Sequence, residues 1–150
     1  MIYDRTQKDV NSALEIFRTK IDKNIELTED DIAILERGMA TLNTINRIEN
    51  KQIELQQIIK NMLYGDAEIS NKTWDDTQFF YKEDLERIVN NTANLRKTFY
   101  VFADTPENPR PEYHYREFNL IERILSDIEL MIEYVKNNYK ECGNFECGEA

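Results

Sequence analysis

Residues 41–62 read TLNTINRIENKQIELQQIIKNM, and this stretch decides the fold class. Leu42, Ile45, Ile48, Leu55, Ile59 and Met62 recur at steps of three, four and seven, which places them on one face of a helix. Gln52 falls on the same stripe, so a buried polar contact or a partner contact is expected there. Ile53 and Ile58 lie to the side and widen the apolar arc. A wide arc needs cover on two sides, either within a bundle or from another subunit, which makes Ile53 and Ile58 candidate partner contacts.

Helical signals continue on both sides of this stretch. Upstream, Leu27-Thr28-Glu29-Asp30-Asp31-Ile32 is a helix start: Thr28 caps, the acids suit the positive end of the dipole, and Leu27 can staple onto Ile32. Ile32, Leu35 and Ala33 are expected to face inward. Gly38 should stop this helix before Thr41 restarts the chain, the alternative being one long helix running through Gly38. An earlier helix starts at Thr6, with Asp9 at its third position and Val10, Ala13, Leu14, Phe17 and Ile21 at helical spacing.

Downstream, the periodicity lapses between Leu63 and Phe80. Tyr64-Gly65-Asp66 reads as a turn, and a short extended segment is expected near 68–74, ending at the single Trp74. A helix is predicted over Lys82–Thr98, with Leu85, Ile88, Thr92, Leu95 and Phe99 in its seam. All three prolines lie in Asp104–Pro111 and enforce an irregular connection. A last helix runs from Tyr115 to Tyr139 on Phe118, Ile121, Ile124 or Leu125, Ile128, Met131 or Ile132, and Val135. The tail, residues 141–150, repeats a Cys-Gly step and is expected to turn back like a hairpin.

The sum is an all-α, multi-helix bundle of about four to five helices in a single domain over residues 1–150. Composition agrees: 4 Gly and 3 Pro in 150 residues are too few for the turns of a β-sandwich. A net charge of −10, with Lys and Arg scattered among acids, points away from nucleic acid and anionic membranes. No apolar run approaches the roughly 20 residues that span a bilayer. The opening Met1-Ile2-Tyr3-Asp4-Arg5 lacks the basic and apolar regions of a signal peptide, which points to synthesis in a cytoplasm.

Little in the sequence suggests chemistry. His114 is the only histidine and sits beside the proline-rich loop. Cys142 and Cys147 have C-x4-C spacing without a second pair, which disfavours zinc; free thiols or a hairpin disulfide are the open readings. Acidic pairs at helix starts match the helix dipole. No phosphate loop, HExxH or calcium loop occurs, so neither a catalytic residue nor a cofactor or metal is expected. Tyr113 and Tyr115, with Phe99, Tyr100 and Phe102, surround the proline loop. Such residues either close the core or contact a partner or a sugar.

With these elements placed, the sequence resembles a helical domain of minor structural proteins from phages and prophage tail particles of Gram-positive bacteria, met in tail-tip, baseplate and fibre proteins. The resemblance rests on Asp4-Arg5-Thr6-Gln7 with Asp9-Val10, Leu27-Thr28, Ile45-Asn46-Arg47-Ile48-Glu49, and Lys72-Thr73-Trp74. It continues through Asn91 with Leu95-Arg96 and Phe99, the segment Asn119–Leu125, and Gly143-x4-Gly148-Glu149. Order and spacing carry it, since no single motif is distinctive. The family's tail often has Ser at the positions of Cys142 and Cys147, and its domain often belongs to a much longer protein.

The resemblance implies a non-enzymatic virion component of a tail, baseplate or fibre, made in the host cytoplasm and incorporated into the particle. Its partners would be other particle proteins, with several copies in a symmetric assembly. A receptor- or carbohydrate-binding module of the same apparatus and a fibre-assembly chaperone are the alternatives. Asn46, Arg47, Glu49, Asn91 and Arg96 are polar groups beside apolar seams. They are expected to specify the fold by tying helices and loops together.

Overall fold

The computed structural model of the chain describes residues 1–142, and its side chains as far as residue 138. Five α-helices follow in order: α1 (Gln7–Thr19), α2 (Glu29–Gly38), α3 (Leu42–Asn61), α4 (Lys82–Thr98) and α5 (Tyr115–Cys142). A 3-10 turn, Ile21–Lys23, follows α1. No strand occurs among the described residues, so the stretch near 68–74 is irregular chain. The last helix runs past the expected stop at Tyr139, so Glu141 and Cys142 are helical. The rest of the expected hairpin tail, with Cys147, lies outside the described residues.

α1 and α2 start where their capping boxes dictate. The Asp9 carboxylate accepts the Thr6 N–H at 2.7 Å, and the Asp31 carboxylate accepts the Thr28 N–H at 2.8 Å. The two helices close on a small apolar cluster of Ala13, Ile16 and Leu35, flanked by Ile21, Leu27 and Met39. Here the inward faces differ from the sequence reading. Phe17 is 40% exposed and Ile32 45% exposed, Ala33 is exposed too, and Leu27 packs on the cluster.

Gly38 explains the shift. A methyl group there would collide with the Asp9 carbonyl oxygen and the Ala13 methyl, so α2 ends pressed against α1. That close approach fixes the rotation of both helices, turning Ile16 and Leu35 into the narrow seam. Gly38 is thus a contact glycine, and the following Met39 is extended rather than left-handed.

α3, α4 and α5 enclose the main core. Ile48, Leu55 and Ile59 of α3, Leu85, Ile88 and Leu95 of α4, and Ile121, Ile124, Leu125 and Ile128 of α5 are completely buried. Both residues of the Ile124/Leu125 alternative are therefore inside. Burial of each such side chain contributes about 1.5–3 kcal/mol. Leu42, at the start of the α3 stripe, is 37% exposed.

All three helices run in the same direction. Between α3 and α5, Arg47 meets Glu122 at 2.8 Å and Lys51 meets Glu129 at 2.8 Å. Between α3 and α4, Glu49 pairs with Arg87 and Gln52 reaches Thr92 at 2.9 Å. Residue numbers rise together in both pairs. Parallel neighbours require the chain to travel back along the bundle, about 30 Å for a helix the length of α3. Residues 63–81 and 99–114 make these returns without regular structure.

α3 ends in a full Schellman motif: Tyr64 N–H donates to Ile59 O at 3.3 Å and Leu63 N–H to Lys60 O at 3.0 Å. Its left-handed position is filled by Leu63, with φ of 64° and a side chain 92% exposed. Glycine is favoured there, and a bulky residue costs about 1–2 kcal/mol. Replacing Leu63 with Gly is expected to stabilise the protein by about 0.5–1 kcal/mol after the added unfolded-state entropy of glycine. Urea unfolding checks this, and a destabilised variant would refute the assignment of strain.

The α1–α2 pair carries its own acid sensitivity. Hydrogen bonds from Lys20, then from the Thr28 backbone and hydroxyl, hold the Asp31 carboxyl down to about 2. Its value in the unfolded chain is near 4. Because the folded value is the lower one, this contribution is complete above about pH 4 and fades as pH falls towards 2. Thermal melts of the wild type and Asp31→Asn should therefore differ at pH 5 and converge near pH 2. A gap that stays constant over that range would rule the linkage out.

Candidate functional site

The sequence gives two kinds of notable residue, polar groups near the seams and aromatic groups near the loops. The structure uses them for different purposes. Glu122 is completely buried on α5, on the same face as Phe118 and Leu125. Its Oε1 accepts Arg47 Nη2 at 2.8 Å and Arg5 Nη2 at 3.0 Å, and its Oε2 accepts the Ile2 N–H. Asn119 binds the same N-terminal segment, accepting from Arg5 N at 3.2 Å and donating to Arg5 O at 3.0 Å. A carboxylate in a low-dielectric interior is tolerable only when paired and hydrogen-bonded. Two guanidinium groups and a backbone N–H meet that need here, and they join residues 1–5, α3 and α5.

A second polar group of contacts lies between α3, α4 and the first return segment. Glu49 is buried and accepts both the Trp74 indole N–H and Arg87 Nη1. Gln52, fully buried, donates to Ile88 O at 2.8 Å and Thr92 Oγ1 at 2.9 Å, and accepts Asn91 Nδ2 at 3.2 Å. Asn91 also grips the irregular chain, donating to Ser70 O at 2.7 Å and accepting from Ser70 N at 3.2 Å. Gln56 and Asn94 donate to Ala67 O and Glu68 O at 2.8 and 2.7 Å. The side-chain amides supply hydrogen bonds to the irregular chain as it crosses the helices.

Of the five polar residues singled out in the sequence, Arg47, Glu49 and Asn91 sit in these networks. Arg96 holds the second return segment through a 3.1 Å hydrogen bond from Nε to Pro106 O. Asn46 is half-buried and makes no side-chain hydrogen bond among the described residues. Arg5, Arg87, Asn119 and Glu122 complete the networks, and no local sequence motif marks them individually. Gln52 makes a buried polar contact within the bundle. Ile53 is half-buried, and Ile58 packs against the main core.

The loop aromatics separate to opposite ends of the bundle. Phe99 is buried, with its ring edge-on to Tyr64 at 4.9 Å, near the C-terminal ends of α3 and α4. Tyr100 joins them and is 63% exposed. Tyr113, His114 and Tyr115 lie at the other end, where α5 begins. Tyr113 stands edge-on to Phe80 at 5.8 Å, and Phe80 stacks obliquely on Trp74 at 5.5 Å. Phe79 and Tyr81 flank Phe80 in the chain with rings 6.5 Å apart. Phe79, Tyr81 and Tyr113 are 75, 58 and 57% exposed; they form an exposed aromatic strip tied to Trp74 through Phe80, the chain neighbour of the first two and the ring partner of Tyr113.

Tyr113 also opens onto a cleft of about 380 Å³ between the α1–α2 pair and the start of α5. Val10, Met39, Tyr115 and Phe118 line it together with Arg5 and Gln7. His114 lies there as well, its ring 4.6 Å from that of Tyr115 and its Nδ1 accepting Arg116 N–H at 3.2 Å. Among the described residues, no group of three or more His, Cys, Asp or Glu is placed to hold a metal ion. None of their helices is long and apolar enough to cross a membrane. The arrangement offers contact chemistry: aromatic faces, phenol hydroxyls and a largely apolar recess.

The polar networks give a graded stability prediction. Glu122→Leu strands two guanidinium groups and is expected to cost about 3–5 kcal/mol. Arg96→Met removes one hydrogen bond from a half-buried side chain and should cost about 1 kcal/mol. Urea titrations of the two variants measure the difference, and equal losses would remove Glu122 from its central place. No family model matches the sequence, and neither a curated protein nor a solved structure matches it significantly.

Proposed function

We propose that this chain is a non-enzymatic structural component of a phage tail, baseplate or fibre, or of a related tail particle, and that it acts through protein–protein contacts. The observation that carries the reading is the exposed aromatic strip Phe79, Tyr81 and Tyr113, gathered around Phe80, whose ring packs on the buried Trp74. Exposed aromatic groups gathered at one end of a bundle are a usual mark of an interaction surface. The internal use of Arg47, Glu49, Asn91 and Arg96 supports the same division: the motif residues hold the fold and the strip meets neighbours. The protein would be made in the host cytoplasm and incorporated into the particle in several copies.

Tyr113 and Tyr115 favour one second reading, a receptor- or carbohydrate-binding module of the same apparatus, because tyrosine rings and hydroxyls can stack on and hydrogen-bond to sugars. Quantitative mass spectrometry of purified particles separates the main readings. Stoichiometric presence is the expected result. Absence from finished particles, with abundance in infected or induced cells, would instead identify an assembly chaperone. Saturable binding of the full chain to host cell-wall polysaccharide, lost on Tyr113→Ala, would move the strip to the carbohydrate reading.

A further inference from the structure

The aromatic strip is set among acids. Asp75 and Asp76 precede Phe79, and Glu83 and Asp84 follow Tyr81 in the first turn of α4. Asp75, Asp76 and Glu83 are exposed, whereas Lys72 and Arg87 pair with Asp84 at 3.4 Å and Lys82 pairs with Glu86 at 3.5 Å. The Tyr113 phenol registers this setting. Its pKa is raised by burial first and then by the charges of Asp84 and Glu83. The protein also shows which ligand chemistry the cluster accepts. Lys72 places its ammonium 4.1 Å from the centre of the Trp74 ring, which packs on Phe80.

From this geometry we propose that the strip Phe79–Tyr81–Tyr113 docks a protein segment that presents Arg or Lys side chains, each cation lying over an aromatic face and facing the carboxylates of Asp76 and Glu83. A cation over an aromatic ring is favoured by the ring quadrupole, and the adjoining carboxylates strengthen the same contact. A purely apolar partner would leave those carboxylates desolvated and unpaired, and an acidic one would be repelled. The partner's recognition element is therefore cationic. The inference deepens the reading of the chain as a protein-contact component and rests on it for the partner's being a protein.

The single Trp74 beneath Phe80 supplies the probe's readout. The full chain is titrated with acetylated, amidated tetra-arginine, following Trp74 fluorescence and backbone amide shifts. Tetra-glutamate serves as the control. Saturable binding is expected, with shifts confined to residues 79–84 and 112–115. Phe79→Ala/Tyr81→Ala, two exposed positions, should weaken it about fivefold or more. Asp76→Asn/Glu83→Gln should weaken it further than Glu29→Gln/Asp30→Asn, which removes the same charge elsewhere. Far-UV circular dichroism confirms that each variant keeps its helices.

Absence of binding at millimolar peptide, or unchanged affinity in the aromatic variant, would overturn the proposal. Shifts spread over the whole acidic surface would overturn it as well, by showing polyelectrolyte attraction only. These outcomes are independent of particle composition. Stoichiometric presence in particles with no arginine binding refutes the cationic partner and leaves the structural role. Arginine binding by a chain absent from particles does the reverse.

Discussion

The parallel direction of α3, α4 and α5 is the constraint on which the rest of the structure depends. Antiparallel helices join through tight turns, but parallel ones force the chain to return along the outside of the bundle. Here the returns are residues 63–81 and 99–114, and neither forms a strand or a helix. Their backbone groups still require hydrogen bonds wherever they lie against the helices. The amides of Gln56, Asn91 and Asn94, and the Arg96 guanidinium, meet that requirement at Ala67, Ser70, Glu68 and Pro106. Polar residues beside apolar seams are thus a consequence of helix direction.

The buried charges answer a different need. An apolar seam is tolerant of register, because one layer of Ile and Leu packs on another with modest loss. Arg47 against Glu122, Glu49 against Trp74 and Arg87, and Gln52 against Asn91 and Thr92 are not tolerant. Sliding any helix by one turn would leave a carboxylate or amide buried without its partner. Such pairs add little net stability over apolar replacements, but breaking one is expensive. They therefore select one alignment among several that the core alone would allow. Glu122 extends the selection to residues 1–5, whose Arg5 completes its coordination.

Much of the architecture was legible in the sequence because its signals are local. Capping boxes at Thr6 and Thr28 and the three-four spacing of α3, α4 and α5 each act within a few residues of chain. The faces of α1 and α2 are less legible: Phe17 and Ile32 fit the spacing, but Gly38 sets the rotation through a contact across two helices. The networks were partly visible. Arg47, Glu49, Asn91 and Arg96 stood out, whereas Arg5 and Glu122 find each other over more than a hundred residues. One local sign of Glu122 existed, since it shares a face with Phe118 and Leu125. Helix direction had only an indirect sign, the length of the two connections.

The same constraint shapes the surface. Parallel helices gather their positive ends at one end of the bundle, and side-chain acids offset that charge best when placed in the first turns. Glu83 and Asp84 do so on α4 and Glu117 does so on α5, while Lys60, Arg96 and Lys97 occupy last turns. Phe79, Tyr81 and Tyr113 stand at that first end because both return segments finish there, next to the helix starts they feed. Aromatic rings and carboxylates are consequently neighbours at one end. A reversed α4 would carry its N-cap Tyr81 and the neighbouring Phe79, together with Glu83 and Asp84, to the opposite end, and Tyr113 would be left there without them.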